Sequence, residues 1–482
     1  MKLKELLKNI SVVEIAADVE MDIDNIYYDS RKVKHGGLFV AISGFASDGN
    51  RFIPMAMEKG AAVVVTAKKP DWDVPYVLVE NDRLALSLLG TNFYGCPAEA
   101  MTLIGVTGTN GKTSTTLLLK QVLEKCLGAK VGLVGTMENM VGDEVIPTER
   151  TTPESLELQG LFAQMRDAGC SHVVMEVSSH AITLDRVGGV HYDVAAFTNL
   201  TEDHLDFHKT MDDYCDAKAE LFARCGKAVV NVDDAYAPRM MEKAHCPVIC
   251  TSVKNGDLYA KDLELHAEGV SFSAVCGEES AHVHLPIPGR FTVYNALTVI
   301  GIAKQLGISL SDCAAALAEA KGVKGRVEVV RTPEKPYSVL IDYAHTPDGL
   351  ENVIQSVQDF CKGRVITVFG CGGDRDPIKR PIMGRIGVEL SDIAVITSDN
   401  PRTEDPEKII EDILAGVRED MGEYYVVCDR RKAIRYAMDI AGKDDIIILA
   451  GKGHETYQEI HGVKHHLDER EEVQMHLAEL RN

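Results

Sequence analysis

The nine residues from Gly105 to Thr113, GVTGTNGKT, constrain what this chain can fold into more than any other stretch of it. An apolar run at Met101–Ile104 precedes them and predicts a buried strand, whereas Ser114–Lys125 is rich in Leu and Lys and predicts a helix. A glycine-rich turn between a strand and a helix aims backbone N–H groups and the positive helix end at one point, where a phosphate chain can bind. The segment therefore predicts a parallel α/β sheet with a nucleoside triphosphate site at the end of one strand.

Two side chains of this loop suit the same ligand. Lys112 can reach the outer phosphates, and the Thr113 hydroxyl can bind Mg²⁺. The strict phosphate-binding pattern has a glycine where Val106 stands, but Gly105 and Gly108 supply glycines nearby. An ordinary tight turn rarely carries Gly-Lys-Thr-Ser as well. We therefore expect ATP to be bound by Gly108, Thr109, Asn110, Gly111, Lys112, Thr113 and Ser114.

Length, charge and cysteine content narrow the class of protein. The 482 residues suggest about three domains, and the formal net charge of −22 argues against nucleic acid or an anionic membrane as a partner. The twelve Cys are scattered without a zinc-binding spacing, which is typical of a reducing cytoplasm. No apolar run approaches the roughly 20 residues that span a bilayer, and Met1–Ile10 lacks the apolar core of a signal peptide. We expect a cytoplasmic protein that works as a monomer and does not insert into a membrane.

Three blocks follow one another along the chain, and together they predict an α/β protein of three domains. Residues 1–97 carry short strand-like runs and predict a small mixed α/β N-domain. Residues 98–330 predict a central P-loop domain with a parallel sheet, and residues 331–482 a C-terminal Rossmann-like domain. The predicted strands are Leu38–Ile42, Ala61–Val65, Tyr76–Val79, Met101–Val106, Val131–Val134, His172–Val177, Val194–Thr198, Ala228–Val232, Ser338–Asp342, Arg364–Phe369, Ile393–Thr397 and Ile446–Leu449.

Polar motifs follow nearly every predicted strand, at the carboxyl ends where ligands bind in open α/β sheets. They are EVSSH from Glu176, TNLTEDHLD from Thr198, DYAH from Asp342, GCGGDRD from Gly370, SDNPR from Ser398 and GKGHE from Gly451. Two sheets with such ends suggest two domains that face each other across a cleft, one with ATP and the other with a second substrate.

Glu176 and His204 each follow a predicted strand of the P-loop block, where they can complete the Mg²⁺ shell that Thr113 begins. Alternatively, Glu176 pairs with a surface Lys and His204 caps a loop; beside the P-loop we favour metal binding for both. For Lys218, in a helical stretch, composition alone predicts an exposed side chain. Asn295 can bond an adenine edge or cap the helix that follows, and its surroundings leave both open.

Arg375, Arg402 and Glu455 each follow a predicted strand of the last block. Two guanidinium groups and one carboxylate suit a zwitterionic amino acid, because Arg binds carboxylates with two hydrogen bonds and Glu receives an ammonium group. The alternative is that they form salt bridges between domains. We favour the amino-acid ligand.

These motifs together resemble those of the Mur ligases, ATP-dependent enzymes that add amino acids during peptidoglycan synthesis. The resemblance runs from the Asp-Ser-Arg at 29–31 to Gln458, and rests on GVTGTNGKT, EVSSH, TNLTEDHLDFH, Tyr294-Asn295, GVKGRVE, IDYAHTPD and FGCGGDRD. Within the family, the chain is most similar to members that extend UDP-N-acetylmuramoyl-L-alanyl-D-glutamate by the third stem-peptide residue. The DNPR segment, Asp399–Arg402, is similar to the motif that recognises meso-diaminopimelate, whose distal carboxylate Arg402 can bind; lysine has no such carboxylate.

The resemblance implies a role for each matching residue. Lys218 matches a position that the family carbamylates, so CO₂ would turn its amine into an anion of the Mg²⁺ network, with catalytic roles for Lys112, Glu176 and His204. The uridine nucleotide would contact Ser30, and the muramoyl dipeptide Thr151, Thr152, Ser178 and Arg186, near Leu184 where the family often has Gln. ATP would also contact Asn295, Arg326 and Asp342. Diaminopimelate would be bound by Arg375, Asp399, Asn400, Pro401, Arg402, Gly451 and Glu455.

The implied reaction is amide formation through an acyl phosphate, with Mg²⁺ as cofactor, in cell-wall biogenesis and hence in cell shape and cell division. A folylpolyglutamate synthetase is the nearest rival, since it shares the P-loop but takes a pterin-bearing substrate; the DNPR loop argues against it. A noncatalytic nucleotide-dependent binding protein is a second rival. It would release ADP whether or not the amino acid is present.

Overall fold

The computed structural model of the protein describes residues 1–44, 48–148, 150–266, 268–333 and 335–480, apart from the side chain of Asp206. Residue contacts divide the chain into two units. The first comprises residues 1–251 and 301–308, and the second comprises residues 252–300 and 309–482.

The first sheet of the first unit has strand order β1-β5-β4-β3-β2, parallel except for β1. Its strands are β1 (Val12–Ala16), β2 (Ile26–Tyr27), β3 (Gly37–Ala41), β4 (Ala61–Thr66) and β5 (Tyr76–Val79). Its helices are α1 (Leu3–Leu6), α2 (Ile53–Glu58) and α3 (Asp82–Phe93). β3 and β4 are apolar at successive positions because both faces of this sheet are covered: Leu38 and Val63 pack into one core, and Phe39 and Val64 into another.

The second sheet of the first unit has strand order β13-β12-β11-β6-β10-β7-β8-β9. Its strands are β6 (Thr102–Thr107), β7 (Val131–Val134), β8 (Asn139–Val141), β9 (Glu144–Ile146), β10 (His172–Glu176), β11 (Tyr192–Phe197), β12 (Cys225–Asn231) and β13 (Val248–Ser252). The helices between them are α4 (Lys112–Leu127), α5 (Ser155–Asp167), α6 (Ser179–Thr183), α7 (Leu205–His208), α8 (Met211–Ala219) and α9 (Ala237–Lys243). All pairs from β13 to β7 are parallel, so the carboxyl ends of β6, β10 and β11 meet at one edge.

The second unit contains a three-stranded antiparallel meander and a six-stranded sheet of order β17-β18-β22-β19-β20-β21. The meander is β14 (Leu258–His266), β15 (Gly269–Cys276) and β16 (Glu279–Leu285), followed by α10 (Arg290–Gln305), which enters the first unit at residue 301, and α11 (Leu310–Ala318). The six-stranded sheet and its helices are β17 (Glu328–Val330), β18 (Ser338–Asp342), α12 (Pro347–Gln358), β19 (Val365–Phe369), α13 (Lys379–Leu390), β20 (Ile393–Ile396), α14 (Pro406–Leu414), β21 (Glu423–Val426), α15 (Arg430–Ile440) and β22 (Ile446–Ala450). A hairpin of β23 (Tyr457–Ile460) and β24 (Val463–His466) precedes the last helix, α16 (Glu469–Glu479).

The predicted α/β architecture is confirmed, with parallel-rich sheets in the N-terminal, central and C-terminal parts of the chain. Every predicted strand is present, with ends shifted by no more than a few residues. The meander was not predicted, because strands such as Leu258–His266 lack the continuous apolar runs by which the buried strands were recognised. The domain boundaries near residues 97 and 330 stay a prediction. No helix within the described ranges is both long and apolar enough to cross a membrane.

Candidate active site

The glycine-rich loop lies where the sequence predicts it, between the end of β6 at Thr107 and the start of α4 at Lys112. Gly108 has φ +150° and Gly111 has φ +84°, backbone conformations that residues other than glycine rarely adopt. A Cβ atom on Gly108 would also collide with the Thr198 hydroxyl group. This position therefore requires glycine both for its backbone angles and for space.

The loop after the neighbouring strand β11 holds the glycine-rich loop in shape. The Thr109 amide donates to the Asn199 carbonyl oxygen at 2.8 Å, and the Asn110 amide donates to Asn199 Oδ1 at 2.9 Å. The Thr198 hydroxyl donates to the Asn110 carbonyl oxygen at 2.6 Å. Sequence reasoning assigned no role to Thr198 or Asn199; the available signal was their place directly after a strand adjacent to β6.

Two lysines meet at one carbonyl oxygen of this loop. Lys112 Nζ and Lys218 Nζ each lie 2.8 Å from Gly108 O, and Lys112 Nζ is also 2.8 Å from Thr109 O. Lys218 is 1% exposed, so the prediction of an exposed helix lysine from composition alone is wrong. Its amine lies 4.5 Å from the centre of the Tyr214 ring. Burial, and after it the positive charge of Lys112, lower the pKa of the Lys218 amine well below its usual range.

Glu176 ends strand β10 and is 1% exposed. Its carboxylate accepts hydrogen bonds from the Thr136 amide at 3.0 Å and from the Thr136 hydroxyl at 2.9 Å. The alternative, an ion pair with a surface lysine, is wrong. Thr136 follows β7, the strand beside β10, and sequence reasoning missed it because the two strands are 40 residues apart in the chain.

His204 stands immediately before α7 with φ +55°, and its side chain makes no capping hydrogen bond. The imidazole is half exposed, with Nε2 3.4 Å from Asp203 Oδ2. Its ring centre lies 4.9 Å from that of His180 and 6.1 Å from that of Tyr214, the residue that also contacts the Lys218 amine. His204 and Lys218 thus both contact Tyr214.

The donors for a metal ion at this edge suit Mg²⁺. Within the described part of the chain, no three His, Cys, Asp or Glu side chains converge on one point. Mg²⁺ does not need such a cage, because it keeps several waters and binds through one or two protein groups and the substrate phosphates. Glu176 is the last residue of β10, Thr113 and His204 follow the strands β6 and β11, and the three strands are consecutive in the sheet, in the order β11-β6-β10. This set fits an ion held mainly by a nucleotide.

The residues expected to hold the muramoyl dipeptide lie beside Glu176. The Thr152 hydroxyl donates to the Glu176 carbonyl oxygen at 2.9 Å, the Ser178 amide donates to that hydroxyl at 3.2 Å, and Arg186 Nη1 lies 3.3 Å from the Thr152 carbonyl oxygen. The Thr151 hydroxyl lies 3.0 Å from the Thr136 hydroxyl and donates to it, because the Thr136 proton is directed at the Glu176 carboxylate. Ser30, the expected uridine contact, is buried, and its hydroxyl lies 3.4 Å from Met55 Sδ.

In the second unit, Asp342 and Arg326 lie close together around Tyr343. The buried Asp342 carboxylate accepts from the Val327 and Ala344 amides, both at 2.8 Å, and burial raises its pKa against the opposing charge of Arg326. The Arg326 guanidinium carbon lies 5.2 Å from the centre of the Tyr343 ring.

Asn295 lies inside α10, which begins at Arg290. It therefore does not cap this helix, and that alternative is wrong. Asn295 belongs to the second unit and is buried.

The loops after β19, β20 and β22 converge in the second unit and bring the predicted amino-acid site together. Asn400 Nδ2 donates to Glu455 Oε2 at 2.8 Å, and the Gly373 amide donates to the Asn400 carbonyl oxygen at 2.9 Å. Arg402 Nη1 donates to the Gly373 carbonyl oxygen at 2.7 Å.

Both arginines of this predicted site flank Gly372. A methyl group added there would lie 3.0 Å from Arg402 Nη1 and 3.8 Å from Arg375 Cγ. Asp399 lies against Gly451, where an added Cβ would be 3.1 Å from Asp399 Oδ2, and Pro401 is buried between Asn400 and Arg402. Sequence reasoning missed Lys452, whose buried amine lies among these side chains.

Comparison with known proteins matches three family domains along the chain. Residues 22–89 match the Mur ligase family, catalytic domain, residues 106–303 the Mur ligase middle domain, and residues 325–453 the Mur ligase, glutamate ligase domain. Over 487 aligned residues the chain is 47% identical to the UDP-N-acetylmuramoyl-L-alanyl-D-glutamate--2,6-diaminopimelate ligase of Clostridium tetani, with 100% of both chains covered.

Two solved structures place the fold. A UDP-N-acetylmuramoyl-L-alanyl-D-glutamate--2,6-diaminopimelate ligase is similar with a TM-score of 0.75 at 31% identity, covering 100% of this chain and 99% of that one. The folylpolyglutamate synthase of Mycobacterium tuberculosis has a TM-score of 0.62 at 18% identity, covering 76% and 92%, which is a likeness of fold alone. Because three domain matches follow one another along the chain and full-length relatives share nearly half of its residues, the chain belongs to the Mur ligase family.

Proposed function

We propose that this protein is an ATP-dependent ligase that adds meso-2,6-diaminopimelate to UDP-N-acetylmuramoyl-L-alanyl-D-glutamate by way of an acyl phosphate. The observation that carries this proposal is the cluster of the second unit in which Asn400 binds Glu455 and Arg402 lies beside Gly373. It offers a guanidinium group for a carboxylate and a carboxylate for an ammonium group. The family, and the activity in the names of the full-length relatives, support the same reaction.

The first step would transfer the γ-phosphate of ATP to the D-glutamate side chain. The substrate carboxylate attacks phosphorus, the bond to the β,γ-bridging oxygen breaks, and ADP leaves. The amides of the glycine-rich loop and the Lys112 amine would bind the phosphate oxygens as their charge redistributes. Mg²⁺ supplies further charge compensation when bound, and Thr113, Glu176 and His204 are the residues that would hold it.

Lys218 would enter this network as a carbamate. Its lowered pKa, caused chiefly by burial, favours the neutral amine, which is the form that adds to CO₂. The new C–N bond and the loss of one proton turn the neutral amine into an anion. Its neighbour Lys112, which contacts the same Gly108 carbonyl oxygen, would then face a negative charge.

In the second step the neutral amine of diaminopimelate would attack the acyl carbon. The C–N bond forms, the C–O bond to phosphate breaks, and phosphate and one proton are released. Arg402 and Arg375, which flank Gly372, would hold the carboxylate at the far end of the amino acid, with Asp399, Asn400, Pro401, Gly451 and Glu455 shaping the same pocket. Orientation of three substrates is the main contribution of such an enzyme.

The remaining roles follow the three parts of the chain. Residues 1–97, with Ser30, would bind the uridine nucleotide. Residues 98–330 would bind ATP, with the dipeptide held by Thr151, Thr152, Ser178 and Arg186, and residues 331–482 would bind diaminopimelate. We propose a monomer acting in the cytoplasm, where ATP and the nucleotide precursor are available.

A phosphate-release assay tests the proposal. The enzyme is mixed with ATP, Mg²⁺ and the UDP-muramoyl dipeptide, and then with meso-diaminopimelate or L-lysine. We expect phosphate release and a new amide product only with diaminopimelate. Release that ignores both amino acids would favour the noncatalytic switch protein, and product with lysine alone would refute the assignment of the amino acid.

A further inference from the structure

The amine of Lys452 lies among Asp399, Asn400 and Glu455, three residues of the proposed diaminopimelate site in the second unit. Lys452 follows the end of β22 and is 0% exposed. Its Nζ lies 3.0 Å from Asn400 Oδ1, 3.1 Å from Glu455 Oε2 and 3.4 Å from Asp399 Oδ1. Lysine is almost never fully buried unless its charge is paired, and three acceptors match its three N–H groups.

This contact helps to orient the Asn400 amide. An ammonium group only donates, so the Asn400 atom beside it must be the oxygen. The same Oδ1 accepts from the Glu459 amide at 2.9 Å. Asn400 Nδ2 is thereby directed at Glu455 Oε2, 2.8 Å away.

One carboxylate oxygen of Glu455 accepts hydrogen bonds from both Asn400 and Lys452. Oε2 accepts from Asn400 Nδ2 and Lys452 Nζ, whereas no hydrogen bond to Oε1 from any described residue is observed. The carboxylate is held by two donors at one oxygen and presents the other to a ligand.

The proposed reaction indicates which amine of the substrate Glu455 would bind. The attacking amine must be neutral, so it gains little from a carboxylate partner. An ammonium group held by Glu455 is therefore the second amine of the substrate, at the end whose carboxylate Arg402 would bind.

We propose that Lys452 is a positioning residue for amino-acid selectivity: it orients Asn400 and Glu455 so that Glu455 Oε1 receives the distal ammonium group of diaminopimelate. This inference rests on the proposed function and deepens it. Lys452 itself touches no substrate. Without it, the Glu459 amide is the remaining donor to Asn400 Oδ1, and Asp399 and Glu455 lose the positive charge between them.

The test compares meso-diaminopimelate with L-2-aminopimelate, which keeps both carboxylates and the attacking amine but lacks the distal one. We expect the wild type to favour diaminopimelate at least tenfold in kcat/KM. Lys452→Met should raise the KM for diaminopimelate at least tenfold, leave the KM for ATP within twofold, and bring the two amino acids close to equal kcat/KM. The double variant Lys452→Met, Glu455→Gln should be little worse than Glu455→Gln alone, because both changes disrupt the same contact with the substrate.

Lys464→Met is the matched control. Lys464 is exposed, and its Nζ lies 4.1 Å from the centre of the Tyr457 ring, the ring that Lys452 Nζ approaches to 5.7 Å. Its kinetics should equal those of the wild type. If thermal unfolding shows that Lys452→Met does not fold, Asn400→Asp takes its place. That variant keeps an oxygen for Lys452 but turns a carboxylate oxygen towards Glu455 Oε2, so the same selectivity should fall.

The outcomes separate two claims. A wild type that forms product with diaminopimelate, together with a folded Lys452→Met that keeps the tenfold selectivity, would overturn the role of Lys452 and leave the proposed function standing. A wild type that forms no product with diaminopimelate would overturn the proposed function and this inference with it.

Discussion

The guanidinium group of Arg402 lies against the carboxylate of Glu459, with Nε 3.4 Å from Oε2. The Arg402 amide also donates to the Glu459 carbonyl oxygen at 3.0 Å, and the Arg402 carbonyl oxygen accepts from the His461 amide at 2.7 Å. The β23–β24 hairpin thus holds Arg402 in the left-handed conformation, φ +50°, which costs a residue other than glycine about 1 kcal/mol. The guanidinium group is therefore in place before a ligand carboxylate arrives.

Arg402→Ala should lower kcat/KM for diaminopimelate by about 2–5 kcal/mol of transition-state stabilisation, because the distal carboxylate would be buried without its partner. The effect should appear mainly in the KM for diaminopimelate, measured by phosphate release, with the KM for ATP unchanged. Unchanged diaminopimelate kinetics would remove Arg402 from the binding site.

Glu459→Gln should change the KM for diaminopimelate in the opposite direction. If Arg402 binds the substrate carboxylate as proposed, Glu459 would compete with that carboxylate, while the backbone contacts between Glu459 and Arg402 are kept in the variant. Both side chains are partly exposed, so the pair contributes at most about 1 kcal/mol. We expect the KM for diaminopimelate to fall by a few-fold. A rise in KM would show that Glu459 orients the arginine instead of competing for it.

Gly108→Ala should abolish tight ATP binding. The added methyl group collides with the Thr198 hydroxyl, so the loop has to move away from the phosphate-binding geometry. We expect the Kd for ATP, measured by calorimetry, to rise at least about 100-fold, the loss of roughly 3 kcal/mol that follows removal of several aligned phosphate donors.

Gly128→Ala is the control for that change. Gly128 follows the same helix, α4, at φ +60° with open space around its Cβ position. It should lower the free energy of unfolding by about 1 kcal/mol without changing the Kd for ATP. Equal ATP affinities for the two variants would refute the role assigned to Gly108.

Lys218→Met should lower kcat by a factor of roughly 100 or more, since a preorganised charge beside the transferring phosphate would be lost. Wild-type enzyme given ¹³C-labelled bicarbonate should show a carbamate signal by NMR, and the variant should not. Lys125→Met, on an exposed face of α4, serves as control and should keep both the signal and the activity. A wild type with full activity and no carbamate signal would exclude the carbamate.

Asp445 should contribute to the dependence of stability on pH. Burial raises the pKa of its carboxyl group, but hydrogen bonds from the Arg364 side chain and from the Arg364 and Gly442 amides outweigh burial and hold the pKa below its usual value. Because the folded pKa is lower than the unfolded value of about 3.9, this stabilisation is present above that pH and is lost as pH falls through the folded pKa.

Asp445→Asn should therefore lower the free energy of unfolding at pH 7 by about 1–3 kcal/mol. The difference from the wild type should shrink as the pH is lowered below about 4, as measured by denaturant unfolding at each pH. A difference that stays constant down to pH 2 would show that the carboxylate charge contributes nothing.

The predicted strands and loops were largely correct because their signals are local. A run such as Val131–Val134 is apolar throughout, since both faces of its strand are covered, and GVTGTNGKT carries its turn, helix start and phosphate-binding side chains within nine residues. The burial of Lys218 could not be read from α8, because it depends on Gly108, 110 residues away in the chain. Thr136 and Lys452 were missed for the same reason.

By itself, the sequence determined the α/β class, the order of the elements and the places of the polar loops that follow the strands, because strand periodicity and turn residues act within a few residues of one another. Only the tertiary structure decided which of those residues share one environment. Parallel pairing brings β6, β10 and β11 side by side in the first unit, and the burial that follows lowers the pKa of the Lys218 amine. In the second unit the same kind of pairing encloses the Lys452 amine among oxygens from two loops more than 50 residues apart. Desolvation and the pairing of charges depend on which groups are close in space, and the separation of two residues along the chain does not determine their distance in space.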